Sequence, residues 1–223
     1  GNAGLCEQFP GQDSTDKKPL YNIFRNITGK NLVQLYDGGG EFSTLKDMSC
    51  YNCNGNTAFY LGNLQYSYVD NLTAQYDTIK DNNAGTNSFY IVDPVNVTFN
   101  DLKSINANNA IRIAGSILNS DYVSAVFNNF YTFKTGEIEI SSGNFEFNNL
   151  SIIRPKQYIG NSANPQTLNF GSGKISINGL YYDNEANTQV GRFDFNGGCD
   201  VVMSDVRMIG PGQFYSISFT GQL

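Results

Sequence analysis

The sequence predicts an all-β protein built as a parallel solenoid of about eight coils, with three short strands in each coil. Three observations support this fold class. A four-residue motif, apolar–polar–polar–apolar, occurs eight times; its third position is always Asn, Asp or Gly; and alternating apolar residues flank the copies. Motifs that recur every 20 to 30 residues are typical of solenoids, in which each coil is stable only when stacked on its neighbours.

The repeated motif is clearest at Phe147-Asn148-Asn149-Leu150. The eight copies begin at Phe24, Leu45, Val69, Phe99, Phe127, Phe147, Ile177 and Met203. Their third positions are Asn26, Asp47, Asn71, Asp101, Asn129, Asn149, Gly179 and Asp205. Asn, Asp and Gly enter the left-handed backbone region at little cost, so the chain is predicted to bend sharply there, once per coil.

Short strands are predicted on both sides of each bend and again later in the coil. Alternation in Val97-Thr98-Phe99 and Ile175-Ser176-Ile177 indicates strands with one buried face. A third strand, closed by a glycine, is indicated by Ile138-Glu139-Ile140 before Gly143. Segments of variable length follow the second strand and are predicted to project from one edge.

These residues resemble the pectin-lyase-like superfamily of right-handed parallel β-helix proteins. The resemblance is to its microbial surface proteins, which carry repeated apolar-x-apolar-Asn-Asn-apolar segments like residues 145–150, and it covers about residues 20–223. It implies a right-handed, single-stranded parallel β-helix. A β-sandwich is the competing fold, but a sandwich does not require a bend residue at the same place in every copy.

Residues 1–18 lie outside the repeat and are predicted to be an N-terminal cap or linker, while residues 19–223 form one solenoid domain. The last residues have the pattern of an unfinished third strand, so the domain is expected to continue into another segment or a stacked subunit. The net charge of −6 and the lack of a basic run argue against nucleic acid as a partner. No apolar run approaches the roughly 20 residues of a membrane-spanning helix.

The four cysteines indicate local rather than global cross-linking. Cys50 and Cys53 are predicted to form a structural disulfide, because a redox Cys-x-x-Cys centre is expected at a helix start that this chain lacks. Cys6 and Cys199 are predicted near opposite ends of the solenoid, too far apart for an intrachain bridge. They are candidates for an intermolecular disulfide; the alternative is that Cys6 pairs with Cys50 or Cys53.

Four Asn-x-Ser/Thr sequons, at Asn26, Asn71, Asn96 and Asn149, indicate an extracellular glycoprotein. Three of these asparagines occupy the bend position, where the repeat itself generates the sequon and the side chains are expected to stack inside the bend. Asn96 precedes its strand, so it is predicted to be the better acceptor.

The outward residues of the third strands form the candidate ligand site. Coil by coil they are predicted to be Gln34, Tyr60, Tyr90, Arg112, Glu139, Asn169, Asp194 and Ser218. Of these, Tyr60, Tyr90, Arg112 and Glu139 are candidates for carbohydrate binding, because aromatic rings stack on sugars and charged groups bind their hydroxyls.

No catalytic residues, metal ligands or cofactors are predicted. The chain has no histidine, which removes Ser/His and Cys/His nucleophiles and mixed zinc sites. The Gly-His-Gly, Arg-x-Lys and clustered-aspartate motifs of the superfamily's enzymes are also missing. The leading hypothesis is a non-enzymatic extracellular structural module of a surface fibre, filament or cell coat. The alternatives are a carbohydrate-binding module and a polysaccharide lyase or hydrolase.

Overall fold

The computed structural model describes residues 5–6, 21–53, 55–78, 87–114, 122–155, 166–186, 190–196 and 199–216. These residues form a parallel β-solenoid made of two sheets, and they contain no helix. The predicted all-β parallel solenoid is therefore confirmed.

The two sheets, A and B, receive strands alternately from the chain. Sheet A contains, in spatial order, β1 (Leu5–Cys6), β3 (Tyr36–Glu41), β5 (Thr57–Gln65), β7 (Asn87–Val92), β10 (Asn109–Ala114), β12 (Ile138–Ile140), β14 (Gln166–Phe170), β16 (Gly191–Phe195) and β18 (Gly212–Ser216). Sheet B contains β2 (Ile23–Lys30), β4 (Thr44–Tyr51), β6 (Tyr68–Gln75), β8 (Val97–Asn100), β9 (Lys103–Ile105), β11 (Ser124–Phe133), β13 (Gly143–Ile153), β15 (Gly173–Asp183) and β17 (Asp200–Ile209). All the strand pairs in both sheets are parallel, so each coil hydrogen-bonds to the coils above and below it.

The structure does not confirm three strands per coil. In most described coils the two strands predicted around the motif are one continuous strand of sheet B, whose bend residue is skipped in the pairing register. The exception is the fourth coil counted from β2, where Asp101 and Leu102 separate β8 from β9. A single left-handed residue therefore redirects a strand without ending it.

All eight predicted bend residues have positive φ. The values are 57° for Asn26, 54° for Asp47, 54° for Asn71, 51° for Asp101, 58° for Asn129, 61° for Asn149, 80° for Gly179 and 52° for Asp205. This is the conformation that Asn, Asp and Gly tolerate best, which explains why other residue types are missing from this position.

Two side-chain ladders run along the solenoid beside these bends. In the bend ladder, Asn71 donates to Asp47 (2.7 Å), Asn129 to Asp101 (3.1 Å) and Asn149 to Asn129 (3.0 Å). In the adjacent ladder, Asn128 donates to Asn100, Asn148 to Asn128, Asn178 to Asn148 and Ser204 to Asn178, at 2.7 to 3.1 Å. Each bond of this kind adds about 1 kcal/mol net to stability.

The core lies between the two sheets and is built from like residues stacked on like. The rings of Phe99, Phe127 and Phe147 stack with centroids 4.7 Å apart and interplanar angles of 6° and 8°. Phe59 stacks on Phe89 in the same way at 5.4 Å. All five side chains are at most 1% exposed. The parallel register therefore converts a sequence repeat into a continuous apolar column.

Left-handed residues also occur in two rows that the sequence analysis does not predict. One row ends the strands of sheet B and contains Asn31, Asn52, Asn106, Lys134, Arg154 and Gly210. The other, which precedes those strands, contains Tyr21, Phe42, Tyr66 and Asn96. Lys, Arg and aromatic residues are rare at positive φ, so these positions carry backbone strain.

The N-terminal strand β1 lies inside the segment 1–18 that is predicted to be a cap or linker. Its register pairs Leu5 with Tyr36 and Cys6 with Asp37 in β3, so this part of the segment extends sheet A. The rest of the segment, and the long connections at 79–86 and 156–165, lie outside the described residues.

Candidate functional site

The outer face of sheet A brings together most of the predicted ligand residues. The backbone register aligns Tyr60, Tyr90, Arg112, Glu139, Asn169 and Asp194 on consecutive strands, and we call this set the outer stripe. Two predicted members do not belong to it. Gln34 precedes β3, and Asp37 takes the place beside Tyr60. Ser218 lies outside the described residues, and the backbone of Tyr215 pairs with Asp194.

The two tyrosines and the arginine contact one another. Tyr60 and Tyr90 pack edge to face with centroids 5.4 Å apart, and the Arg112 guanidinium lies 5.7 Å from the Tyr90 centroid. Both tyrosines are half-buried. Burial raises the pKa of Tyr60, and the neighbouring Tyr90 adds to the effect. The ring faces that a sugar needs are therefore partly covered within the protein.

The charged members of the outer stripe are also paired. Arg112 Nε lies 3.2 Å from Glu139 Oε2, with the two side chains 46% and 30% exposed. A pair this exposed contributes roughly 0 to 1 kcal/mol. Asp194 is buried and accepts a hydrogen bond from Arg192 Nη2 at 2.9 Å. Asn169 Oδ1 accepts one from Asn196 at 2.9 Å.

Glu137 is the residue at this face that the sequence analysis misses. Burial raises its pKa to about 7; the carboxylates of Glu139 and Asp194 also raise it, while a hydrogen bond with Asn169 and the charge of Arg112 lower it. Its Oε1 atom is buried and has no hydrogen-bond partner among the described residues. Such a carboxyl holds its proton near neutral pH, which is the property of a general acid.

The sequence does contain a signal for Glu137. In Gly136-Glu137-Ile138-Glu139-Ile140 the two acids alternate with buried isoleucines, so both project from the same face of the sheet. The negative charge of Glu139 on the same face helps to raise the pKa of Glu137. Among the described residues, no group of three or more acidic or cysteine side chains has a metal-binding arrangement.

The structure separates the sequons into two kinds. The side-chain nitrogens of Asn71 and Asn149 donate hydrogen bonds within the bend ladder. Asn26, in the first strand of sheet B, has the same left-handed backbone and is exposed. Asn96 lies outside the ladder, is exposed, and accepts a hydrogen bond from Ser124 Oγ at 3.3 Å. Asn71 and Asn149 are exposed too, so exposure does not rank the four sequons, and Asn96 as the better acceptor stays a prediction.

The predicted disulfide between Cys50 and Cys53 is present, with the Cα atoms 6.1 Å apart. Both residues are buried, at 1% and 0% exposed. The alternative pairing of Cys6 with either cysteine is therefore wrong. Cys199 is a half-buried free thiol whose pKa is raised by burial. The side chain of Cys6 lies outside the described residues, so its pairing with Cys199 of another copy stays a prediction.

The two parallel sheets define a parallel β-solenoid protein, and the side chains on its outer stripe are paired with one another. No known protein family, curated protein or solved structure matches the chain. In the described part of the chain, no helix is both long and apolar enough for a membrane span.

Proposed function

We propose that this protein is a non-enzymatic extracellular structural module, part of a surface fibre, filament or cell coat. Its solenoid stacks end to end on neighbouring segments of a longer chain or on other copies. On the outer face of sheet A, neighbouring side chains pair with one another, as expected of a scaffold surface.

The incomplete cover of the core at both ends of sheet B is the observation that carries this proposal. The inward residues Phe24 and Ile27 of β2 are only partly buried, and so are Met203 and Met208 of β17. Inner strands bury the equivalent positions almost completely; Ile177, for example, is 0% exposed. A solenoid whose end strands leave core residues uncovered is stabilised when another coil packs on them.

Finer features of the architecture belong to the same proposal. We propose a right-handed β-helix of eight coils with three strands each, related to the pectin-lyase-like superfamily and its microbial surface proteins. The eight left-handed bend residues support the coil count. The split between β8 and β9 supports a three-strand plan in which the first two strands usually merge.

Extracellular localisation is supported by the buried disulfide and by the sequons. Disulfides persist mainly in oxidising compartments, and Cys50–Cys53 closes a loop of only four residues within one coil.

Concentration-dependent assembly tests the proposal. Sedimentation velocity and electron microscopy of the purified chain are expected to show end-to-end oligomers. Met203→Lys places a charge on the partly exposed core side of β17 and is expected to abolish these oligomers. Val202→Lys is the matched control, because Val202 lies on the outer face of the same strand and is 62% exposed. A chain that stays monomeric up to high concentration, with no rods in the micrographs, contradicts self-stacking.

The in-register placement of Tyr60, Tyr90, Arg112 and Glu139 favours a second candidate, a carbohydrate-binding or adhesive module. A glycan array distinguishes the two functions. Binding that is lost in both Tyr60→Ala and Tyr90→Ala supports the adhesive module, and an array without signal supports the scaffold. Release of unsaturated or reducing ends from polysaccharides would instead indicate an enzyme.

A further inference from the structure

A row of four left-handed residues runs along the corner that precedes the strands of sheet B. Its members are Tyr21, Phe42, Tyr66 and Asn96, with φ of 63°, 52°, 47° and 50°. The backbone N–H of each aromatic member donates to the carbonyl of the residue just before the next member: Tyr21 to Glu41, Phe42 to Gln65 and Tyr66 to Val95, at 2.8 to 3.1 Å. Asn96 therefore occupies the next place in the row after Tyr66.

The three aromatic rings form an exposed stack, which we call the aromatic row. The Tyr21 and Phe42 centroids are 5.4 Å apart with an interplanar angle of 16°, and those of Phe42 and Tyr66 are 5.6 Å apart at 19°. The three residues are 70%, 44% and 52% exposed, so core burial does not hold them. Bulky residues at positive φ are strained, and retained strain points to a use for the side chains.

Tyr66 is 52% exposed, and Phe42 is the one ring that stacks on it among the described residues. Phe42 covers the face on its own side, so the opposite face is directed along the row toward Asn96. Neighbouring strands are about 4.8 Å apart, and successive rings in this row follow at the slightly longer distances of 5.4 and 5.6 Å. Asn96 itself offers no ring and ends the aromatic row.

Asn96 has the features of a glycan acceptor. It begins the sequon Asn96-Val97-Thr98, it is exposed, and its side-chain oxygen accepts a hydrogen bond from Ser124. Its Nδ2 atom, which would carry the sugar, makes no hydrogen bond within the described part of the chain. In contrast, Nδ2 of Asn71 and of Asn149 donates within the bend ladder.

We propose that Asn96 carries an N-linked glycan whose first sugar packs on the face of Tyr66 opposite Phe42, so that the sugar takes the next place in the aromatic row. The transfer joins Asn96 Nδ2 to the anomeric carbon of a lipid diphosphate-linked oligosaccharide; the amide loses one proton and the lipid diphosphate leaves. The apolar C–H face of a pyranose packs on an aromatic ring as a second ring does. This inference rests on the extracellular localisation in the proposed function, not on end-to-end stacking.

Occupancy and coupling to Tyr66 are measured on the full chain secreted from a eukaryotic host. Glycopeptide mapping is expected to find Asn96 occupied. An endoglycosidase then trims the glycan to one sugar, and the melting temperature is compared with that of Asn96→Gln. The single sugar is expected to raise it by about 2 to 4 °C, the shift that one aromatic contact produces in a domain of this size.

Tyr66→Ala is expected to remove the increase in melting temperature that the sugar gives, whereas Tyr21→Ala is expected to keep it. Tyr21 is the matched control because it has the same left-handed backbone and lies at the far end of the aromatic row. Ring-current shifts of the sugar's C–H protons give a second readout that needs no variant. A bare Asn96, an increment unchanged in Tyr66→Ala, or unshifted sugar protons overturn the proposal. Sedimentation of the unglycosylated chain reports on stacking separately.

Discussion

Several residues at positive φ are of types that disfavour this backbone conformation. Lys134 has φ of 50° in a row whose other members include Asn52, Asn106 and Gly210. The preceding row member, Asn106, has a buried side-chain oxygen without a hydrogen-bond donor among the described residues. An asparagine at 134 supplies both a tolerant backbone and the absent donor.

Lys134→Asn is therefore expected to stabilise the protein. Relief of the left-handed strain contributes about 1 kcal/mol, and a hydrogen bond to Asn106 contributes up to about another 1 kcal/mol. Urea unfolding measures the change. Lys134→Gly relieves strain without adding a donor, so its gain is expected to be smaller. Equal effects of the two variants would show that no new hydrogen bond forms.

The protonation of Glu137 predicts a pH-dependent stability. Its pKa is raised to about 7 in the folded protein. The folded state therefore binds this proton more tightly than the unfolded state does, and stability falls as the pH rises from about 4.5 to about 7. Glu137→Gln removes this dependence. It is expected to raise the unfolding free energy by about 3 kcal/mol at pH 8 and to change it little at pH 4.

Urea denaturation of the wild type and of Glu137→Gln at pH 4 and pH 8 checks this expectation. The difference between the two proteins at pH 4 is the reference for the difference at pH 8. An equal gain at both pH values would show that the substitution acts through packing instead of through the carboxyl proton.

At the scale of the strand, stacked phenylalanines are expected to dominate the energetics of sheet B. Phe127 packs between Phe99 and Phe147, and its own exposure is 1%. Phe127→Ala leaves a cavity in the middle of this column and is expected to cost about 3 to 5 kcal/mol. Phe127→Leu keeps most of the volume and is expected to cost much less. Thermal unfolding of both variants tests the ranking, and similar losses would mean that the column readily collapses.

The sequence repeat was sufficient to predict the strands around each bend. The turn type follows from residue chemistry, since Asn, Asp and Gly share a tolerance for positive φ, and all eight positions show it. The merging of two predicted strands into one was not predictable, because a single left-handed residue in a paired strand changes direction without losing its neighbours. Tyr21, Phe42, Tyr66, Lys134 and Arg154 were missed for the opposite reason, because their residue types disfavour the positive φ that they adopt.

The candidate site was predictable in part for a similar reason. Register follows from the period-2 pattern of Ile111-Arg112-Ile113 and Ile138-Glu139-Ile140, which places Arg112 beside Glu139. Gln34 was misplaced because Tyr36-Asp37-Gly38 has only one large apolar residue and gives a weak alternation signal. The contacts among Tyr60, Tyr90 and Arg112 depend on side-chain conformations. A repeat pattern carries no information on those conformations.

For the whole molecule, contacts link each coil chiefly to the next, so stability should vary along the axis. The central strands β11, β13 and β15 pair over nearly their full length with neighbours on both sides. The end strands β2 and β17 each have a neighbour on one side in sheet B. Hydrogen exchange is expected to be slowest in the central strands and fastest in the two end strands. Uniform protection would indicate that the solenoid opens only as a unit.

The hydrogen bonds of the two side-chain ladders also share one direction. In each, the amide or hydroxyl of a later coil donates to the oxygen of an earlier coil, from Asn71 to Asp47 at one end and from Ser204 to Asn178 at the other. Within the described residues, the bend positions of the first and last strands of sheet B therefore differ, because Asn26 has an amide and Asp205 a carboxylate. Unlike ends complement each other and like ends do not, so joined copies would repeat by translation along one axis. Such a contact leaves a free site at each step, which favours polar growth over closed, symmetric dimers.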